Sequence, residues 1–353
     1  MLRFLVRRLL ASIPVLFGIV VLTFVLTRVL PGNPCVAELG EKASAQQCAQ
    51  FNHREGLDRP VPVQLGKYIV KLGHGDLGIS FRQRRPVTAL LAERLPVTLE
   101  LSLAALLIAI AVGIPLGILA AYRHNSLIDA GAVVAANVGV SMPVFWLGLM
   151  FQYLFAVTLK KTPLGLPPSG RLDPGIIAEP FFKQWGWHSN GVLQFLSRLL
   201  ILDGILTWKW SIVGNALRHL VLPALTLSTI PLAIIARMTR SSLLDTLGLD
   251  YVRTARAKGL GEFLVVVRHA LRNALLPVST IIGLQLGALL GGAILTETIF
   301  NITGVGQTLY DAISSRDYSV VSGFTLVVAI VFVVLNLLTD LLYTVLDPKV
   351  RLA

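Results

Sequence analysis

The chain has 353 residues, of which 54% are apolar and only 14% charged, and its mean hydropathy is +0.73. A soluble domain carries about 25% charge, so this composition excludes an ordinary soluble enzyme and predicts an all-α integral membrane protein. The formal charge of +12 (31 Lys+Arg against 19 Asp+Glu) does not point to nucleic acid. The basic residues fall in loops flanking apolar spans, where headgroups and topology account for them, and neither a recognition fold nor aromatic-basic interleaving is present.

Met1 to Arg8 is a basic lead-in with Arg3, Arg7 and Arg8, followed by an apolar run from Leu9 to about Leu30. The run is longer than a signal-peptide core and lacks a small-residue cleavage site, so it reads as an uncleaved first transmembrane helix. Arg28 is placed to snorkel at its far end, and Pro31-Gly32-Asn33-Pro34 stops it. Residues 31–96 form a polar loop with six Asp/Glu and nine Lys/Arg, large enough to fold. Cys35 and Cys48 form a disulfide there if the loop faces an oxidising compartment; otherwise they are two thiols, and the spacing leaves both open. No metal-site pattern accompanies them. His74 with Asp76 suggests a catalytic pair, but without a third partner the glycine-rich His74-to-Ser80 stretch reads as a hydrogen-bonded turn.

The second span is predicted from about Thr98 to Tyr122 and the third from about Ala132 to Leu159, an antiparallel pair joined by a short connection. Gly113-Ile114-Pro115-Leu116-Gly117 puts two glycines on one face of the second, predicting close helix contact and a kink at Pro115. A second polar loop, 160–219, carries Trp185, Trp187, Trp208 and Trp210. They read as an interfacial belt, with ligand stacking as the alternative, and Val192 to Leu206 reads as a helix along the membrane surface. The fourth span runs from about Leu220 to Ala236 and the fifth from about Leu275 to Phe300, with Gly283, Gly287 and Gly291 smoothing one flank. The sixth runs from about Val320 to Leu346, and Asp347-Pro348-Lys349 closes the chain. The organisation is therefore 1–30 (N-terminus and first span), 31–96 (loop), 97–300 (four-span core containing the loops 160–219 and 237–274) and 301–353 (last loop, sixth span and C-terminus).

Between the fourth and fifth spans, Asp250 to Gly259 reads as a short helix of roughly two turns. Asp250 is its expected N-cap, Lys258 suits the negative end of the dipole, and Gly259 suits the left-handed position beyond the C-cap. Arg253 and Arg256 share a face, while Ala255 and Ala257 leave room for another surface. Six spans put both termini on one side. The segments there hold 13 Lys/Arg against 17 opposite. The opposite loops are more than twice as long, however, and loops of about 60 residues translocate largely regardless of charge. The expectation is that the termini and the 237–274 loop are cytoplasmic, with the loops 31–96 and 160–219 periplasmic.

Membrane-embedded polar residues mark candidate translocation-path positions: Asn137, Ser141, Gln285, Thr296, Glu297, Asn336 and Asp340. Interhelical hydrogen bonding is the competing role, and Glu297 and Asp340 lie near span ends where water is expected to reach them. An ion-coupled secondary transporter would want carboxylates near mid-membrane, and the spans offer few. An intramembrane hydrolase built on Ser141 lacks a histidine within a span. No Gly-x-x-x-x-Gly-Lys-Ser/Thr occurs in the sequence, so the chain carries no P-loop.

Thr254-Ala255-Arg256-Ala257-Lys258-Gly259, followed by Arg268-His269-Ala270-Leu271-Arg272-Asn273-Ala274-Leu275-Leu276-Pro277, resembles the cytoplasmic "EAA" loop of ABC-type import permeases in its peptide-transporter form. Pro31 to Pro34, Gly75 to Ser80, Ser141 to Trp146, Arg237 to Ser242 and Leu295 to Phe300 agree with the same branch, so the resemblance spans nearly the whole chain. It is most similar to the first of the two permease subunits of a dipeptide importer. The Glu-Ala-Ala of the general motif falls here on Arg253-Thr254-Ala255, and Leu276-Pro277 lies further beyond Gly259 than in the general pattern, which is the form of the peptide branch. The resemblance implies the six-helix fold of type I ABC importers and a permease that is not itself an enzyme. It also implies no cofactor in this chain, ATP and Mg being held by two cytoplasmic ATPase subunits. A second permease subunit and a periplasmic peptide-binding protein complete the implied assembly. The helix from Tyr251 to Lys258 would dock in a groove on an ATPase, with Tyr251 as apolar anchor and Arg253, Arg256 and Lys258 as polar orienters. Related permeases serve dipeptides, oligopeptides, glutathione, haem precursors or nickel chelates.

Overall fold

The structure, a computed structural model, describes residues 2–29, 34–40 and 42–346; the expected stop at Pro31-Gly32-Asn33 and the closing Asp347-Pro348-Lys349 lie outside them. Among the described residues there are helices and no β-strand. Five helices are long and apolar enough to cross a membrane, and six if one sharply bent pair counts as a single span.

Helix α1 (Leu2–Val29) includes Pro14. The loop after it folds into α2 (Pro34–Leu39), α3 (Ala45–Glu55) and α4 (Val61–Gly73). Helix α3 is delimited at both ends, by a Ser44/Gln47 capping box and by Gly56 at φ +69°. Cys35 and Cys48 are joined by a disulfide, with Cα atoms 5.3 Å apart. His74 Nδ1 donates to the Val70 carbonyl and Asp76 Oδ1 accepts from the Gly78 N–H, both at 2.8 Å. The local turn thus uses both side chains.

Helix α5 (Val87–Tyr122) continues through Pro96 and Pro115. At 36 residues it is about 54 Å long, well beyond a bilayer core of about 30 Å. Its N-terminal part carries Glu93 and Glu100, which hold both polar loops: Glu93 pairs with Arg85 of the first (2.6 Å) and Arg198 of the second (3.2 Å), and Glu100 with Arg171 of the second (2.5 Å). The expected third span is instead two helices, α6 (Leu127–Ser141) and α7 (Val144–Phe151), bent by 101°. Pro143 lacks an N–H and disfavours helical geometry at Met142, which is extended at ψ 130°. Beyond α7 the coil widens to a π-helix, Gln152–Thr158.

The second loop contains α8 (Phe181–Gln184), α9 (Gly191–Ser197) and α10 (Leu200–Leu206). The single surface helix expected over Val192 to Leu206 is broken because side chains from elsewhere take its backbone groups. Arg171 Nη2 donates to the Arg198 carbonyl, and the Ile201 N–H donates to Glu100 Oε1. Trp185 stacks edge-on with Trp187 and Trp208 with Trp210, all four exposed. In α10, Asp203 is buried and accepts from the Phe181 N–H at 2.8 Å. Burial pushes its carboxyl pKa up, outweighing that bond and the charge of Lys209. A carboxyl raised in the folded state contributes stability that is complete below its unfolded pKa and lost as pH rises through the folded value. Melting temperature is therefore expected to fall with rising pH just above the ordinary aspartate range, and Asp203→Asn to flatten that slope. Parallel wild-type and variant profiles would show that Asp203 titrates normally.

Helix α11 (Trp210–Leu247) is longer than the expected fourth span at both ends. After it come α12 (Asp250–Ala257), the turn α13 (Glu262–Leu264) with a π-helical stretch Val265–Ala270, and α14 (Leu271–Gly292). The expected fifth span stops at Gly292, and its last residues form a separate short helix, α15 (Ile294–Ile299), followed by α16 (Val305–Ser314) and α17 (Tyr318–Leu346).

The core is built on α5 and α11. A Cβ on Gly113 would lie 2.9 Å from the Leu232 carbonyl oxygen, and one on Gly117 2.6 Å from that of Ala236. Only glycine permits this backbone approach. Leu101, Ala105 and Ala109 of α5 meet Ala224, Leu227 and Ile235 of α11 and Val278 of α14 in the central cluster. Gly283 and Gly287 of α14 face Thr339 and Phe332 of α17, whereas Gly291 faces open space. Helix α17 also runs antiparallel to α1, with Arg28 near Tyr318 at one end and Arg8 paired with Asp340 (2.9 Å) at the other.

Candidate functional site

Helix α12 sits where three long helices end. Its Val252 (0% exposed) and Ala255 (6%) enter one cluster with Ala121 of α5, Leu243 of α11, and Val265, Val266, Ala270 and Ala274 leading into α14. Spacing of i and i+3 puts these two on one helical face. Tyr251, Arg253, Thr254, Arg256, Ala257 and Lys258 are exposed. Ala255 is therefore spent on the chain's own core, and Ala257 is the small residue left outward. Asp250 is the first helical residue, not the N-cap: Leu249 holds that position, and no side chain caps the end. The acid still lies in the first turn, favourable to the dipole. Gly259 takes φ +78°, the left-handed conformation its position requires.

Glu262, which sequence reasoning passed over, and Asn273, named there only within the stretch that carries the resemblance, orient this helix. Glu262 accepts both Arg256 Nη2 (2.7 Å) and Nε (3.1 Å), fastening the end of α12 to the turn after it. Asn273 Nδ2 donates to Tyr251 Oη at 2.8 Å. Among the described residues, Arg253's polar contact is an exposed one of 3.5 Å with Asp250. A third contact joins α6 to α11: Arg240 binds buried Asp129 through Nε (2.6 Å) and Nη2 (2.7 Å). Lying 111 positions apart, this pair has no local signature, although Arg240 lies in one of the stretches that carry the resemblance.

The candidate path residues do not converge on one point. Asn137 and Ser141 lie together at the elbow of α6 and α7, on a cavity of about 600 Å³ lined also by Val134, Met142, Phe145 and Trp146. Gln285 and Asn336 are half-buried on α14 and α17. Asp340 is engaged by Arg8 far along α17.

Thr296 and Glu297 are both 0% exposed, so the expectation that water reaches Glu297 at a span end is corrected. Its carboxylate is enclosed because α15 folds back over the start of α16. Oε1 accepts from the Thr98 hydroxyl (2.5 Å) and Oε2 from the Gln307 N–H (2.8 Å), while Thr98 Oγ1 accepts from the Val305 N–H (2.8 Å). Acidic acceptor oxygens thus meet the N–H groups of a helix start, and Gly304 leaves room for them, since any Cβ there would clash with Oε1. Gln152 Nε2 donates to the Ile299 carbonyl (3.0 Å), so the elbow pair packs on the same helix. Thr98 is 199 positions from Glu297 and carries no sequence signal for this role.

The family profile described as "Binding-protein-dependent transport system inner membrane component" matches residues 113–352, and the profile for the N-terminal part of such membrane components matches residues 1–103. The chain is 46% identical over 355 residues to the dipeptide transport system permease protein DppB of Escherichia coli K12, covering 99% of each chain. It is 44% identical over 351 residues to the protein of the same name in Alkalihalophilus pseudofirmus, covering 99% of this chain and 100% of that one. It is 45% identical over 352 residues to the di/tripeptide transport system permease protein DppB of Pseudomonas aeruginosa, covering 99% of each.

Proposed function

The chain belongs to the family of binding-protein-dependent transport system inner membrane components, and on that premise we propose that it carries dipeptides or short peptides across the membrane by alternating access, driven by ATP hydrolysis in partner subunits. It is a multi-pass membrane transport subunit and not an enzyme. In the proposed assembly it pairs with a second, similar permease, receives peptide from a binding protein at the face formed by the loops 31–96 and 160–219, and docks one of the two ATPases at the α12 end. That end is read as cytoplasmic, together with both termini. The names of the relatives support the dipeptide reading.

The observation that carries the proposal is the dual character of α12. Its outer face offers Tyr251, Arg253, Arg256 and Lys258, while Val252 and Ala255 are locked to the ends of α5, α11 and α14. Force applied outside is therefore delivered to three spans at once, as a rigid-body transition between two packings requires. The elbow cavity with Asn137 and Ser141 is the candidate stretch of the path, and its mixed apolar and polar lining suits a cargo that must be released. In proteoliposomes carrying the complete assembly, uptake of labelled dipeptide is expected to stop when ATP hydrolysis is blocked. Undiminished uptake would overturn the ATP-driven reading, and ATP-dependent uptake of other solutes but no dipeptide would overturn the substrate.

A further inference from the structure

At the opposite end of α1 from Arg8, a cavity of about 650 Å³ opens between α1, α4, the 76–81 turn and the start of α17. Arg28 forms part of its wall. The guanidinium lies 3.4 Å from the centre of the Phe24 ring. Nε donates to Gln64 Oε1 at 2.9 Å, and Nη1 donates to the Phe24 carbonyl and Thr27 Oγ1, both at 3.2 Å. Among the described residues no carboxylate lies within ion-pair distance of Arg28, nor of Arg59, Lys67 or Lys71, which line the same cavity. The acids present are engaged: Glu55 pairs with Arg54 (2.8 Å), and Asp76 accepts from its own turn. A half-buried guanidinium without an anion is costly, and the exposed cations around the same recess add to its positive potential.

The surroundings say which anion fits. Arg28 closes the first span, which places it at headgroup depth. Helix α4 has no buried residue; Gln64, Lys67, Tyr68 and Lys71 face the cavity, while Val63 and Val70, seven apart, are exposed on the adjoining flank. A helix basic on one side and apolar beside it, with its basic side at the end of a span, has the form of an interfacial helix. We propose that this cavity binds the phosphate of an anionic phospholipid from the leaflet opposite α12, with the acyl chains against the apolar flanks of α4 and α1. A soluble anion would use the basic recess but not the exposed valines.

The test is lipid retention by the intact assembly, purified from wild type and from Lys67→Gln/Lys71→Gln, both changes on exposed side chains, and read by native mass spectrometry with phosphatidylglycerol as the probe. Wild type should keep phosphatidylglycerol through delipidation, and the double variant should hold it about 25-fold less tightly, at about five-fold per lysine near a membrane surface. Lys160→Gln/Lys161→Gln, outside the cavity, should retain it as wild type does. In phosphatidylcholine nanodiscs without phosphatidylglycerol, wild type and the Lys67/Lys71 variant should melt together, which separates ligand loss from misfolding. Arg28→Gln should deepen the loss; if that variant does not fold, the lysine pair still decides. Equal retention by wild type and the double variant overturns the proposal, as does displacement of the lipid by inorganic phosphate, which would make the site one for a free anion.

Discussion

Gly259→Pro, or the pair Arg253→Glu and Arg256→Glu, is expected to leave the permease inserted in the membrane and to abolish its co-purification with the ATPase subunits. Gly259 stands at φ +78° and its N–H donates to the Arg256 carbonyl at 2.9 Å. Proline holds φ near −65°, has no N–H, and disfavours the near-helical geometry Lys258 adopts before it. The last turn of α12 must then unwind and carry Arg256 and Lys258 out of place. The charge reversals act differently, setting Glu at position 256 against Glu262, its former partner. Like charges set against each other across an interface cost several kcal/mol and turn away a partner shaped for the original sign. Val252 and Ala255 are untouched in both variants, so the helix root stays in its cluster. Normal recovery of the ATPases with either variant would show that α12 is not the docking element.

Gly117→Val should remove most folded permease. Its Cβ would stand 2.6 Å from both the Ala236 carbonyl oxygen and Thr239 Cβ. The first of these is backbone in the middle of α11 and has no rotamer with which to yield. Helices α5 and α11 would have to separate, opening the central cluster along much of its length. Overpacking of this kind costs about 1–3 kcal/mol and more when the obstacle is main chain, a large share of a stability of about 5–15 kcal/mol. Gly291→Ala, which meets nothing within 4 Å, provides the contrast and should melt within a few degrees of wild type. Size-exclusion profiles and thermal melts in detergent check both. A monodisperse, equally stable Gly117→Val protein would contradict the α5–α11 contact described above.

Features with a local cause were legible before folding. Apolar runs announced the helices, because an unsatisfied backbone in hydrocarbon leaves little alternative. Gly113 and Gly117 announced a close approach, though not its partner. Gly259 announced a left-handed turn, because few other residues tolerate that conformation. Asp250 illustrates the limit of such reasoning: an acid at a helix start suits both the cap and the first turn, and the structure chose the second. At Met142-Pro143 the proline was visible, yet a proline in an apolar run fits a kinked span as well as a 101° elbow.

What the sequence determined by itself was the material: a helical membrane chain, roughly where its apolar spans lie, and one short cationic segment between two of them. Those follow from composition and from interactions within a few residues. The tertiary structure alone decided what each polar group faces. It gave Glu297 to Thr98 and the start of α16, Asp129 to Arg240, and the inner face of α12 to three span ends. Buried polar groups take partners wherever the packing of helices supplies them, and at separations of 111 and 199 residues no periodicity records the match.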